Sequence, residues 1–580
     1  MNTKIPLKQL LLLSITTIFF ACRSNQEENK KVIAKTPQDV NKIAAEQLNQ
    51  FFKENKKDSL LILDKDSLIT FGFFKNHYSK EPQTIFTDKG VWNPTGDSLF
   101  AIIRDARYYG LIPNDYHFAK IDSLYKSVYN KEEEDYDARA IAKIDLLLAD
   151  AYYKFGAHLN KGRFYPDSLL LEWRPAKLDS NWNNVLKWGI TSKNIRAALD
   201  SLEPKHDGYV FLKKEFKKYL IENEKINWDS ISFSNITDTT KFLANLKTRL
   251  LATGDYDSTV TGSDSVKMAN AIKSYQKKMN LDPDGKLGKL TKQSLKLSKE
   301  TAIRQMEMSL ERWRWERAVF PEKYFWVNIP SADLHVWERN KGKIDPRWKK
   351  SKESRERALK TVGKDTLVLF SNVVVGKPET QTPILNAKIN YVLIYPYWTV
   401  PYSIAWKEIL PAVQRDTNYL HKKNFDVINS KGEVVDIKSV NWKKLNKGNL
   451  PYKFRQRIGD DNSLGVVKFN FNNKYGVYLH DTNSKRYFKT FYRYQSHGCV
   501  RLDKYWETAK FLTRDDTLKL PYDTLAVYFQ TPFQRQINMK KVVPIYIRYY
   551  STVADCTGLY RYIDIYRKDE KMAKLVYKGK

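Results

Sequence analysis

Residues 467–481 read VKFNFNNKYGVYLHD, a pattern that predicts a β-hairpin. Apolar side chains alternate with polar ones in its first part, the period of a half-buried strand: Val467, Phe469 and Phe471. The Asn, Lys and Gly residues at 472–476 favour a turn, and an apolar run then leads back along the first strand. The second strand of this hairpin therefore ends at His480.

Other runs rich in β-branched and aromatic residues, bounded by Pro, Gly or Asn, precede the hairpin. They lie at residues 324–329, 366–370, 372–375 and 391–395. We therefore expect a mainly β domain over residues 300–545, followed by a closing segment over residues 546–580. Residues 397–460 form a connection far longer than about 12 to 15 residues, the length above which an insertion between core strands is often a lid.

The strongest chemical signal in the chain is the string SHGCVR at residues 496–501. A free cysteine has a pKa near ~8.5 and is mostly a thiol at neutral pH, so a nucleophilic Cys499 needs an imidazole to accept its proton. His480, at a strand end, is a better candidate than His497, because a neighbour two residues away on a tight glycine turn usually points elsewhere. We predict Cys499 as the nucleophile and His480 as the base.

The glycine of this string has a role of its own. Gly498 lets the backbone approach a substrate closely, and the N–H groups of Gly498 and Cys499 could form an oxyanion hole for acyl transfer. Two other interpretations stay open: a structural cysteine near core histidines, and a copper or zinc site of two histidines and one cysteine. The tight turn and the adjacent Arg501 disfavour a bound cation. Cys556 has no histidine near it in sequence, and we expect it to be a small buried residue.

The N-terminal part of the chain is predicted to be mainly helical, over residues 46–238, behind a polar tether at residues 23–45. Apolar residues repeat at helical spacing in two stretches, one that ends at Gly110 and one that runs from Ala138 to Gly162. No catalytic cluster stands out in this part, so we interpret it as a scaffold domain.

Residues 239–299 are predicted to form a compact unit of three helices. The segment SYQKKMNLDPDGKLGKLTKQSL, residues 274–295, resembles the small peptidoglycan-binding domain. The residues that carry this resemblance are Tyr275, Gln276, Asp284, Gly285, Gly288 and Thr291. A generic helical spacer is the alternative, because a glycine-rich turn with a threonine cap is a general way of joining helices.

Residues 1–22 have the features of an export signal. Lys4 and Lys8 precede an apolar run of about a dozen residues, which is too short to span a ~30 Å hydrocarbon core. The run ends at Cys22 in a setting that resembles a bacterial lipobox; the alternative is an ordinary secretory signal with an incidental cysteine. We expect an exported protein of the periplasm or cell envelope, anchored to the membrane by a lipid on Cys22.

The chain has 580 residues, with 99 Lys and Arg against 66 Asp and Glu and a net charge of +33. This excess implies an anionic partner, such as nucleic acid, lipid headgroups or an acidic polymer. An exported protein meets cell-wall polymer with its carboxylate-bearing stems rather than nucleic acid, so we expect no nucleic acid partner. The three cysteines exclude a disulfide framework.

The string VYLHDT at residues 477–482, followed by SHGCVR, resembles the active-site signature of L,D-transpeptidases with a YkuD-type catalytic domain. Further segments resemble the large, YcbB-like multidomain members of that family: GLIPNDYH (110–117), KGRFYP (161–166), RWRW (312–315), VVVGKP (373–378), YPYWTVP (395–401), NSLG (462–465) and VVPIY (542–546). The resemblance implies a multidomain α+β protein with a helical scaffold, a peptidoglycan-binding domain and a mainly β catalytic domain, in which residues 397–460 are a substrate-capping insertion.

The resemblance also implies a reaction. Cys499 attacks the carbonyl of the third residue of a stem peptide, D-alanine leaves, and the side-chain amine of a second stem's third residue resolves the thioester. By position, His480 is the base, the backbone of Asp481 orients its imidazole, and His497 and Gly498 line the oxyanion side.

Three further residues are expected at the substrate: Ser496, Tyr478 and Arg501. Arg501 either pairs with a stem carboxylate or braces the loop. The resemblance implies no cofactor, and it implies that carbapenems form a covalent adduct on Cys499. Hydrolysis of the same stems, or a non-catalytic wall-binding lipoprotein, are the alternative functions.

Overall fold

The computed structural model of the chain describes residues 31–54, 61–63, 66–68, 73–74, 77–78, 83–129, 136–164, 181–228, 231, 233, 238–259, 261–316, 319–339, 365–516, 520, 522–556 and 558–577. The chain divides into two compact units, residues 1–164 with 177–204 and residues 165–176 with 205–580. Within the described ranges, no helix combines the length and the apolar character needed to cross a membrane. The predicted export signal and Cys22 lie outside these ranges.

The described part of the first unit is mainly helical. Its helices are α1 (Pro37–Glu54), α2 (Pro94–Arg104), α3 (Phe118–Tyr129), α4 (Ala138–Lys161), α5 (Trp182–Thr191) and α6 (Ile195–Leu202), with 3-10 turns at Asp105–Tyr109 and Pro113–Tyr116. Short strands pair in twos: β1 (Ile33–Ala34) with β6 (Tyr136–Asp137), β2 (Leu61–Leu63) with β3 (Asp66–Leu68), and β4 (Thr87–Asp88) with β5 (Val91–Trp92).

Helix α4 lies at the centre of this unit and is buried along most of its length. Asp145 on α4 is fully buried, and its carboxylate accepts hydrogen bonds from the backbone N–H groups of Ile85 and Phe86 and from the hydroxyl of Tyr78. Burial raises the pKa of Asp145 to about 6 despite these hydrogen bonds. The two helical stretches predicted for this region are confirmed, with Gly162 as the residue that ends α4.

One predicted boundary in the N-terminal part differs from the structure. Residues 37–45, predicted to be part of the tether, form the first half of α1, in which Val40 and Ala44 are fully buried at helical spacing. Helix α7 (Asp207–Glu224) is part of the second compact unit. There Gly208 packs so closely on Trp313 that a Cβ at this position would lie 2.3 Å from the indole ring.

The three predicted helices of the small domain are present as α8 (Thr239–Ala252), α9 (Asp264–Lys278) and α10 (Lys289–Leu295). Gln276, 2% exposed, holds the turn between α9 and α10. Its amide nitrogen donates to Asp284 Oδ1 and Lys286 O, both at 2.9 Å, and to Thr291 Oγ1 at 3.1 Å. Its amide oxygen accepts the N–H of Gly285, whose φ of +74° favours glycine.

The rest of the second unit begins with α11 (Lys299–Arg314) and contains a large mixed sheet. The strands are β7 (Lys323–Asn328), β8 (Asp333–Arg339), β9 (Asp365–Gly376), β10 (Leu385–Ile394), β15 (Val467–Phe471), β16 (Leu479–His480), β17 (Tyr494–Ser496), β18 (Val500–Leu502) and β19 (Arg535–Arg548). The pairings run β9-β18-β16-β15-β10-β19-β7-β8 and return from β8 to β9, so these strands form a closed ring, and β17 adds to β9. This confirms the predicted mainly β domain and the hairpin of β15 and β16.

Residues 397–460 fold as an insertion with a hydrophobic core of its own. Its four-stranded sheet has the order β11 (Trp398–Thr399), β14 (Lys453–Gln456), β12 (Phe425–Ile428), β13 (Val434–Val435). Its helices are α12 (Tyr402–Ile404), which continues through a π-turn at Ala405–Ile409 into α13 (Leu410–Arg415), and α14 (Asn418–Lys422). Short 3-10 turns follow at Ile437–Ser439 and Trp442–Lys444.

The chain after the hairpin of β15 and β16 completes this unit. It contains a 3-10 turn at Lys485–Lys489, α15 (Tyr505–Thr513), a 3-10 turn at Arg514–Asp516, α16 (Tyr522–Gln530), β20 (Thr552–Asp555), β21 (Gly558–Arg561) and α17 (Lys568–Val576). The predicted boundary at residues 545 and 546 falls inside β19, where Ile545 and Tyr546 pair with β7. The prediction that Cys556 is buried is wrong: Cys556 is exposed, because it follows β20 directly at the turn into β21.

Candidate active site

Three adjacent strands bring three polar side chains into one row of the sheet. Lys468 on β15 is the register partner of His480 on β16, which in turn is the partner of Arg501 on β18. Tyr478 and Cys499 lie directly before β16 and β18, and both are close to Lys468: its ammonium lies 4.1 Å from the centre of the Tyr478 ring, and its charge acts to lower the pKa of Cys499. We call these five residues the cysteine cluster.

Tyr478 lies beside the Cys499 thiol, and both its backbone and its hydroxyl act to lower the pKa of Cys499. The surrounding side chains shield the thiol from water, and this desolvation raises the pKa of Cys499 although Tyr478, Lys468 and Arg501 act in the opposite direction. Cys499 itself remains partly exposed to an incoming molecule. The resting site therefore holds a neutral thiol.

The His480 imidazole is 4% exposed and lies against the backbone. Its Nδ1 is hydrogen-bonded to the carbonyl oxygen of Asp481, which makes Nδ1 the protonated nitrogen and leaves Nε2 as the basic one. Burial, followed by the positive charges of Arg501 and Lys468, lowers the pKa of His480 to about 3, so the ring is neutral. No hydrogen bond joins His480 to Cys499 within the described residues; Cys499 directly precedes β18, whose Arg501 is the register partner of His480.

The loop before Cys499 is held by its own serine. The Ser496 hydroxyl donates to the carbonyl oxygen of Cys499 at 2.5 Å and accepts the N–H of Gly498 at 3.1 Å. Ser496 is 1% exposed, and its hydroxyl forms both of these hydrogen bonds inside the loop. The N–H of Gly498 is engaged in the same way, whereas no described residue accepts a hydrogen bond from the N–H of Cys499.

Gly498 allows the tight turn before Cys499, because its φ of +113° lies in a backbone region that favours glycine. Its carbonyl oxygen accepts the hydroxyl of Thr382 at 2.9 Å, and Thr382 Oγ1 accepts the N–H of Gly376 at 2.9 Å. The Tyr566 hydroxyl, from the C-terminal segment, donates to the Gly376 carbonyl at 2.6 Å and accepts the N–H of Thr382. The cysteine loop is thus supported by residues far apart in sequence.

Asp481 contributes its side chain as well as its backbone. Its Oδ2 accepts the N–H of Val466 at 3.0 Å, and Lys485 pairs with Oδ1. Gly465 lies directly against this carboxylate, so a Cβ there would come within 2.1 Å of Oδ2. The glycine of the NSLG string therefore makes room for the carboxylate that fixes the start of β15 beside the end of β16.

His497 lies on the outer side of the loop. Its Nε2 is 2.6 Å from Oε1 of Glu408, in the π-turn of the insertion. Both side chains are partly exposed. The structure places the His497 ring against the insertion, whereas the sequence predicted it beside the oxyanion.

Four residues of this region were not predicted to belong to the site: Lys468, Thr382, Glu408 and Tyr566. Lys468 had a usable signal, since it occupies a polar position in an alternating strand that pairs with the strand of His480. The contacts of Glu408 and Tyr566 depend on tertiary packing across the chain, which no local pattern carries. Within the described ranges, no group of three or more His, Cys, Asp or Glu side chains is placed to hold a metal ion.

Comparisons with known families agree with this architecture. Residues 352–520 match the L,D-transpeptidase catalytic domain, YkuD. Residues 240–295 match a domain described as "Putative peptidoglycan binding domain", and residues 73–216 match the scaffold domain. The chain therefore has a multidomain architecture, with a scaffold domain, a peptidoglycan-binding domain and an L,D-transpeptidase catalytic domain of the YkuD type in this order.

Two individual proteins are similar to parts of the chain. A Haemophilus influenzae protein named "Putative L,D-transpeptidase" is 30% identical over 221 residues, which is 38% of this chain and 39% of that protein. The chain thus matches well under half the length of this relative. The crystal structure of an L,D-transpeptidase (Yku) from Stackebrandtia nassauensis is 17% identical and covers 52% of this chain and 88% of its own, with a TM-score of 0.18. A TM-score this low supports no structural argument.

Proposed function

We propose that this protein is a cysteine acyltransferase that crosslinks peptidoglycan stem peptides between their third residues and releases D-alanine. The observation that carries the proposal is that Cys499 lies directly before β18, which pairs with the strand of His480, in a loop held by the hydroxyls of Ser496 and Thr382. The match of this part of the chain to an L,D-transpeptidase catalytic domain supports the same chemistry.

In the first half-reaction, the Cys499 thiol attacks the carbonyl carbon of the third stem residue. Nε2 of His480 accepts the thiol proton as the C–S bond forms, since both groups are neutral at rest. In this proposal the N–H of Cys499 and the Tyr478 hydroxyl donate to the developing oxyanion. His480 then returns the proton to the amide nitrogen, the C–N bond breaks, and D-alanine leaves.

In the second half-reaction, the side-chain amine of another stem's third residue attacks the thioester. His480 accepts a proton from this amine, the C–S bond breaks and the Cys499 thiol is restored. Water in place of the amine would make the protein a carboxypeptidase on the same stems. The insertion over residues 397–460, which contacts the cysteine loop through Glu408 and His497, is positioned to shield the thioester from water.

The accessory domain fits the same substrate. Residues 240–295 match a peptidoglycan-binding domain and would hold the polymer near the catalytic domain. We further propose that the protein works in the cell envelope, with a lipid on Cys22 as its anchor and with the excess positive charge facing the acidic wall.

The proposal is tested by incubating the protein with purified muropeptides that carry tetrapeptide stems. Mass spectrometry should show free D-alanine and stem-linked dimers. Tripeptide monomers without dimers would identify a carboxypeptidase, and unchanged muropeptides bound to the protein would identify a non-catalytic binder. Turnover by Cys499→Ala equal to the wild type would contradict the proposal. A carbapenem should add its mass to the wild type and not to Cys499→Ala.

A further inference from the structure

The cysteine cluster contains two positive charges that lack a negative partner. Lys468 and Arg501 flank His480 in the same row of the sheet, one on each side. Both side chains are partly buried, and the Arg501 Nε is shielded from solvent without a hydrogen-bond partner. Within the described residues, neither forms an ion pair with a carboxylate. The Lys468 ammonium lies 4.1 Å from the centre of the Tyr478 ring.

Such an arrangement is unfavourable for the empty site. A cation that has lost part of its hydration is normally paired with an anion, and two like charges beside one imidazole also repel each other. The Cys499 thiol is neutral at rest, so it does not serve as their anion. Unpaired, desolvated charges in a cleft point to a ligand of opposite charge that arrives with the substrate.

The geometry of the reaction limits which anion this is. When the scissile carbonyl sits at Cys499, a leaving residue extends about 3.3–3.6 Å beyond it. A free carboxylate on that residue therefore lies within one residue length of the sulfur, where the long side chains on the neighbouring strands, about 4.7–4.9 Å apart, can reach it. A longer stem would place a neutral amide at this position.

We propose that Lys468 and Arg501 form an anion subsite for the free α-carboxylate of the C-terminal residue of the donor stem. Because of this subsite, the protein would prefer donor stems in which one residue follows the scissile bond over longer stems. This inference rests on the proposed function, because it assumes that the donor is a stem peptide. Lys468 and Arg501 bind the part of the donor that leaves, and the acceptor amine enters after that carboxylate has gone.

The test compares a tetrapeptide donor that ends in a free carboxylate with the same peptide ending in a carboxamide. The wild type should prefer the acid. Lys468→Met and Arg501→Met should each lower the ratio of kcat/KM for the acid to kcat/KM for the amide about ten- to hundredfold, the effect of losing a hydrogen bond to a charged group. Lys468→Arg, which keeps the charge, should retain the preference. Lys388→Met, at an exposed position on β10 of the same sheet, is the control.

Binding separates a failure of this inference from a failure of the proposed function. Calorimetry with the Cys499→Ala variant measures affinity for the acid and the amide without turnover. A preference for the acid that is lost in Cys499→Ala/Lys468→Met supports the subsite even if the wild type turns over neither peptide. Equal binding of acid and amide, or equal losses of kcat/KM for both donors in Lys468→Met, would overturn the anion subsite. Lys468 and Arg501 would then act on the Cys499 thiolate instead.

Discussion

Nε2 of His497 lies 2.6 Å from Oε1 of Glu408, and this contact joins the cysteine loop to the insertion at residues 397–460. The two residues are 89 positions apart in the chain. The insertion is otherwise organised around its own hydrophobic core. A movement of the insertion would therefore displace His497, which lies two positions before Cys499.

We predict that Glu408→Gln loosens the insertion without unfolding the protein. Both side chains of the contact are partly exposed, so it contributes little to global stability and the melting temperature should stay close to that of the wild type. Hydrogen exchange at residues 402–415 should become faster. Glu433→Gln, at an exposed residue that contacts Asn429 within the insertion, is the control and should leave this segment unchanged. Unchanged exchange in Glu408→Gln would show that other contacts hold the insertion.

We predict very different effects for the two histidines. His480→Ala removes the base and should lower kcat/KM by at least about 100-fold, within the range for loss of general base catalysis. His497→Ala removes only the contact to Glu408 and should lower it far less. Steady-state D-alanine release by the two variants is the measurement. Equal losses would mean that His497 takes part in proton transfer and that the assignment of the base is wrong.

We predict an unusual pH dependence for the thiol. Desolvation raises the pKa of Cys499, so the thiolate forms only at alkaline pH and alkylation should speed up with a midpoint above ~8.5, the value of a free cysteine. Iodoacetamide labelling followed by peptide mass spectrometry measures this, with the exposed Cys556 as an internal reference thiol. A midpoint below neutral pH would instead indicate a resting thiolate paired with a protonated His480.

We predict that Gln276 stabilises the peptidoglycan-binding domain. Gln276→Ala removes the hydrogen bonds to the partly buried N–H of Gly285 and to the buried Thr291, which should cost about 1–3 kcal/mol of unfolding free energy. Gln293→Ala, at an exposed position on α10, is the matched control and should change stability little. Denaturant unfolding of the full chain and sedimentation with purified peptidoglycan are the measurements. Unaltered stability and binding in Gln276→Ala would contradict this role.

The sequence was sufficient for the hairpin that carries His480, because strict alternation from Val467 to Phe471 and a turn rich in Asn and Gly allow few other folds. It also placed Cys499 in a tight glycine loop. It could not give the hydrogen-bond directions within that loop, so Ser496 was assigned to substrate and the N–H of Gly498 to an oxyanion. In the structure, the Ser496 hydroxyl accepts the N–H of Gly498 and donates to the carbonyl oxygen of Cys499.

Other features depend on contacts between distant segments. Tyr566 supports the loop through Gly376, 190 positions away, and no spacing rule connects them. The tether assignment failed at residues 37–45 because Val40 and Ala44 are a weak apolar signal in a polar stretch, yet both are fully buried in the folded unit. The row of Lys468, His480 and Arg501 requires the strand register, which the sequence alone leaves open.

The central claim is that Cys499 forms a thioester with the third residue of a stem peptide. The most direct measurement is intact-protein mass spectrometry after acid quenching of the protein with a tetrapeptide donor in the absence of an acceptor amine. The account predicts an added mass equal to the tripeptide acyl group, located on the peptide that contains Cys499 and absent from Cys499→Ala. D-alanine release without any acyl group on Cys499, or an adduct on another residue, would contradict it.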